Sequence, residues 1–75
     1  MTVTFQEETV KNDRDEMFYI YIEQDKYKSS FRVGIAVQYD ECRVGYPLNE
    51  HRYWTMQQAK RRFRDLRRQV MKGEY

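Results

Sequence analysis

The chain has 75 residues, charged side chains at 35% of positions and a formal charge of +2, which makes it one domain near the lower size limit for an independent core. Its single cysteine, Cys42, and single histidine, His51, exclude an intrachain disulfide and a cysteine/histidine zinc site within one copy. No window approaches the roughly 20 apolar residues of a membrane span, and Met1–Glu8 lacks the apolar run of a secretory signal.

The core must therefore come from packed Phe, Ile, Val, Tyr and Met side chains, each contributing about 1.5–3 kcal/mol when fully buried. A lone thiol favours a reducing compartment, so a cytoplasmic location is expected, or a host-cell interior for a phage-encoded chain.

Residues 1–16 read either as an edge strand or as an acidic arm. Val3 and Phe5 alternate with Thr2, Thr4 and Gln6, which fits a short strand near 2–10, with Asn12–Asp15 as the following turn. In Met17–Glu23, Phe18, Ile20 and Ile22 point one way and Tyr19, Tyr21 and Glu23 the other. The polar Gln24–Ser29 segment suits a hairpin connection. In Ser30–Gln38, Phe31, Val33, Ile35 and Val37 form one face, and Arg32, Gly34, Ala36 and Gln38 the other. After a turn at Tyr39–Glu41, a further strand is expected over Glu41–Tyr46, ended by Pro47 because proline cannot continue a ladder. Cys42 would then be a small half-buried residue at a strand start. The sheet occupies residues 17–46 on this reading, and Glu50–Tyr53 fall in a loop.

The helix is the clearest element. Thr55 is a good N-cap and Gln58 completes a capping-box pattern, with Trp54 and Ala59 placed for a hydrophobic staple. Met56, Ala59, Phe63, Leu66 and Val70 recur at steps of three and four, which is one helix face. Gly73 supplies a C-terminal stop, so a helix is expected over 55–72. The fold class follows: α+β, a three- to four-stranded antiparallel meander with one C-terminal amphipathic helix laid across one sheet face.

No nucleophile is spaced to pair with His51, no glycine loop could cradle a phosphate, and Asp13, Asp15 and Glu16 lack calcium-loop spacing. The chain reads as non-catalytic, with no cofactor and no metal. Its charge is more informative. Residues 1–25 carry two cations against seven anions, residues 26–50 four against three, and residues 51–75 eight against two, for −5, +1 and +6. The acidic part could neutralise the basic helix within one copy or across a homodimer.

Two surfaces are candidates for binding. At 100° per residue Arg61, Arg64, Arg68 and Lys72 lie opposite the apolar stripe, interrupted only by Asp65, and the arginine fork suits phosphate or carboxylate. Lys60, Arg62 and Arg67 border the stripe and can lay their stems over the core edge. On the uncovered sheet face Tyr19 and Tyr21 stand among Arg32, Gln38 and Arg43, a mixture that serves base stacking and phosphate contact or a protein–protein hot spot equally well.

Strands followed by a helix, with Tyr53, Thr55 and Ala59 at the helix start, resemble the arm-type DNA-binding domains of tyrosine-recombinase integrases over residues 17–70. The resemblance implies a sheet face laid in the major groove, with Arg32, Gln38 and Arg43 as the contacts. The chain departs from that family in carrying most of its basic residues on the helix rather than the strands. Two functions are thus open. One is a nucleic-acid-binding module. The other is a protein-interaction regulator or inhibitor, of the kind phages and mobile elements encode, that meets an acidic protein surface.

Overall fold

The computed structural model describes residues 2–75; Met1 lies outside them. Four strands, β1 (Thr2–Lys11), β2 (Met17–Asp25), β3 (Phe31–Gln38) and β4 (Val44–Tyr53), precede one helix, α1 (Met56–Met71). The strands form one antiparallel sheet in the order β1-β2-β3-β4, and the helix covers one of its faces. This is the expected α+β meander in its four-stranded form.

The period-two pattern decides which side chains meet the helix. Phe18, Ile20 and Ile22 of β2 stand opposite Val37, Ile35 and Val33 of β3. They form the core with Val10 of β1 and Ala59, Phe63, Leu66 and Val70 of α1. Ile20, Ile22, Ile35, Ala59 and Val70 are completely buried. Met56, at the start of the expected stripe, is partly buried against this core. At the helix N-terminus the Thr55 hydroxyl accepts from the Gln58 amide at 3.2 Å. At the other end Lys72 is the C-cap, and Gly73 takes the positive φ of 76° that ends the helix.

The β1–β2 turn is organised by Asn12, whose buried side-chain oxygen accepts from the amides of Arg14 (3.0 Å) and Glu16 (2.9 Å). Asp15 takes a φ of 66° there, a conformation that aspartate tolerates better than most residues. Residues 2–10 are strand rather than a free acidic arm, with Phe5 as the extra residue of a bulge between Thr4 and Gln6. The bulge leaves Phe5 packed edge-on against Phe31, ring centroids 5.6 Å apart.

The last strand differs from expectation. It spans Val44–Tyr53 instead of Glu41–Tyr46 and runs through Pro47, which pairs with Ala36. An edge strand tolerates proline because only one side of its ladder is bonded, and the register slips on both sides of Pro47. Several side chains therefore sit elsewhere than the sequence implied. Cys42 is exposed in the β3–β4 turn, not half-buried in a strand. Glu50, His51, Arg52 and Tyr53 are on β4 rather than in a loop, opposite Gly34, Val33, Arg32 and Phe31.

Gly34 lies beneath the Tyr21 ring, and a Cβ at that position would overlap the tyrosine Oη and Cζ. Tyr21 is 5% exposed and its hydroxyl donates to Glu50. Gly34→Ala is expected to displace the ring, break that bond and destabilise the fold by about 1–3 kcal/mol. Denaturant unfolding of this variant checks the result, and unchanged stability would mean that the ring moves freely.

Candidate nucleic-acid interface

The helix side chains divide by position. Ala59, Phe63, Leu66 and Val70 are taken by the core, so Arg61, Arg64, Arg68 and Lys72 are exposed on the far side. Among the described residues, Arg61, Arg64 and Lys72 have no carboxylate partner, while Arg68 has Asp65 at a loose 3.6 Å. Arg67, at the edge of the stripe, is tied to Glu8 at 2.9 Å. Met71, 55% exposed, lies between Arg64, Arg68 and Lys72 in a shallow groove of about 410 Å³. At 1.5 Å per residue, the row from Arg61 to Lys72 extends about 16 Å along one side of the molecule.

The N-terminal acids do not neutralise this row. The strand register sends Glu7, Glu23, Asp25 and Glu50 to the uncovered sheet face, across the sheet from the helix, and Glu8–Arg67 is the one link from the acidic segment to the helix among the described residues. A charge gradient along the sequence has become an opposition between two faces.

On the uncovered face, the predicted contact residues are engaged with carboxylates or, for Gln38, with a hydroxyl and a backbone carbonyl. The Tyr19 and Tyr21 hydroxyls donate to Glu7 and Glu50, and their rings stack with centroids 5.5 Å apart. Arg32 is held by Glu23 at 3.2 Å and Asp25 at 3.1 Å. The Gln38 side chain accepts from the Thr9 hydroxyl at 2.6 Å and donates to the Asp40 carbonyl at 3.1 Å. Arg43 is not on the sheet at all; it lies in the β3–β4 turn, paired with Asp40 at 2.7 Å. The structure thus places Arg61, Arg64, Arg68 and Lys72 together on the helix and leaves Arg43 off the strands that carry Tyr19, Tyr21 and Arg32.

These pairings shift several titrations. Burial pushes Glu23 up despite the neighbouring Arg32. Desolvation also opposes ionisation of Asp25, yet Arg32, Arg52 and the Thr2 hydroxyl hold it below its ordinary value. Asp40 is lowered by the Cys42 amide and by Arg43. Tyr19 and Tyr21 are both raised, first by burial and then by the carboxylates they donate to. A raised tyrosine contributes stability that is complete below its unfolded value of about 10 and is lost as pH climbs towards the folded value. Wild-type protein is therefore expected to weaken above pH 10, with Tyr21 contributing a slope of about 1.4 kcal/mol per pH unit. Chemical unfolding between pH 8 and 12 checks this against Tyr21→Phe, which should lack that part of the slope; identical profiles would refute it.

Sequence reasoning missed one further feature. Tyr39, Val44, Tyr46 and Leu48, in the β3–β4 turn and the first half of β4, are 64%, 45%, 95% and 55% exposed; Val44 pairs with Gln38, and the Tyr39 ring lies over Gly45. The run of apolar residues Val44, Tyr46 and Leu48 was its signal, hidden by the expected stop at Pro47. No group of three metal-ligating side chains is found among the described residues, and no helix is long and apolar enough to cross a membrane. Compared with known protein families, curated proteins and solved structures, the chain matches none.

Proposed function

We propose that this domain binds double-stranded DNA through the outward face of α1. The observation that carries the reading is the row Arg61, Arg64, Arg68 and Lys72: four exposed cations on a rigid helix, three of them without a carboxylate partner among the described residues. A helix with its side chains is about 10–12 Å across, close to the roughly 12 Å width of the B-DNA major groove. Single-strand binders need aromatic platforms on which bases stack, and this face has none; it carries arginine, lysine and Met71. A-form RNA keeps its major groove too narrow for side chains to read. Phosphate contact dominates the expected affinity, with little dependence on base sequence.

The sheet face is the weaker candidate. The integrase-like arrangement would lay it in the groove, but Arg32 already has two carboxylate partners, and Glu7 and Glu50 would meet phosphates with like charge. Fluorescence anisotropy with a labelled duplex of about 20 base pairs, at low salt and against the matching single strand, tests the reading. Saturable binding with preference for duplex is expected. Absence of binding at low salt would refute it. The alternative of a protein-interaction role has its own observation in the exposed apolar side chains Tyr39, Val44, Tyr46 and Leu48.

A further inference from the structure

A recess of about 340 Å³ lies between the first half of α1 and the end of β4, lined by Tyr53, Gln58, Arg61, Arg62 and Asp65. The helix step of 100° explains the set. Gln58, Arg62 and Asp65 share the flank between the apolar stripe and the outward row, and Arg61 begins that row. Tyr53, opposite Phe31 on β4, supplies the other wall.

The charges in this recess are unbalanced. Among the described residues neither Arg61 nor Arg62 has a carboxylate partner, and Asp65 is drawn away to Arg68 at 3.6 Å. Arg62 is half-buried, and its Nε–H is shut off from solvent with no hydrogen-bond partner. A buried donor without an acceptor is costly, the more so on a cation. No acidic side chain stands in the first turn of α1, so the positive end of the helix dipole adds to the attraction for an anion.

We infer that this recess seats one phosphate group. Arg61 and Arg62 grip it from adjacent positions, the Arg62 fork turning so that its Nε–H and one Nη–H donate together. The Tyr53 hydroxyl and the Gln58 amide are further donors. A tetrahedral phosphate accepts from several directions at once and suits this crowd of donors better than a planar carboxylate. The source of the group rests on the DNA reading above: it is the backbone phosphate that Arg61 meets. Arg62 is then the second arm of that contact and fixes the helix against one strand of the duplex.

Nuclear magnetic resonance of the arginine Nε–Hε groups, recorded while inorganic phosphate is titrated into the full chain without DNA, tests the seat directly. At constant ionic strength the Arg62 signal is expected to move saturably with phosphate and to move little with acetate or chloride. Arg62→Gln, followed at the Arg61 signal, should weaken phosphate binding about tenfold, the worth of a hydrogen bond to a charged group. Arg62→Lys should recover only part of it, because lysine lacks the fork. Arg61→Gln, at an exposed position and followed at Arg62, is the second variant should Arg62→Gln fold poorly. In anisotropy, Arg62→Gln should lower duplex affinity about tenfold, and inorganic phosphate should displace wild-type protein from duplex more strongly than chloride does. Absence of a phosphate-dependent shift overturns the inference, and so does equal movement with acetate, which would point to an acidic peptide. A saturable seat in a chain that binds no duplex supports the inference, refutes the DNA reading and assigns the seat to free phosphate. Duplex binding untouched by Arg62→Gln overturns the backbone source.

Discussion

Reversing Arg61, Arg64 and Lys72 to glutamate together is expected to eliminate measurable duplex binding while leaving the fold intact. All three side chains are exposed and make no ion pair among the described residues, so their removal costs the folded state little; surface changes of this kind fall within about 0.5 kcal/mol. Binding depends on them directly. If the four cations of the row each neutralise one phosphate, the logarithm of the affinity falls against that of salt with a slope of about −3.6. Raising salt from 50 to 200 mM then weakens wild-type binding roughly 150-fold. Single changes to alanine should lower the slope by about 0.9 each, and nearly equally across DNA sequences, as phosphate contacts do. The triple reversal leaves only Arg68, itself near Asp65, amid three new negative charges. Anisotropy titrations at several salt concentrations, with circular dichroism of each variant, measure both quantities. A triple variant that binds as wild type would move the interface off the helix.

The helix and the two central strands could be read from the sequence because each is governed by neighbours close along the chain. The Met56–Val70 stripe, the Thr55 cap and the alternation in β2 and β3 are local patterns, and a buried face leaves little freedom of register. The reading lost its way at Pro47. Treating proline as the end of a strand removed Glu50, His51 and Arg52 from the sheet, and with Glu50 went half of the acidic border around the tyrosines. Glu7 presented the other difficulty. Its position opposite Tyr21 and its bond to Tyr19 depend on the β1–β2 register, which includes a bulge that no local pattern announces. Arg32 looked like a free groove contact for the same reason, since its carboxylate partners Glu23 and Asp25 lie on the neighbouring strand. On the helix, by contrast, exposure followed from the 100° step alone, and the row Arg61, Arg64, Arg68 and Lys72 was placed correctly.

Phe63→Ala should have the largest effect on stability of any single change on the helix. Phe63 is 1% exposed and is the bulkiest of the fully buried side chains. It faces the β2 and β3 residues from the middle of α1, where neighbours on every side prevent the site from collapsing. Truncation of a buried phenylalanine costs about 3–5 kcal/mol. A domain of this length has about 4–11 kcal/mol in total, so the variant would retain a small margin or none. Thermal unfolding followed by circular dichroism should show a midpoint lowered by more than about 12 °C. The consequence reaches the interface, because a 16-residue helix of this composition is marginal in water without the sheet beneath it. Without that support the basic row has no fixed spacing. Duplex binding should therefore fall with the folded fraction as temperature rises, and return on cooling. Phe63→Leu, which keeps most of the volume, should preserve both properties; a Phe63→Ala protein as stable as wild type would mean that the sheet and helix are held together by something other than this core.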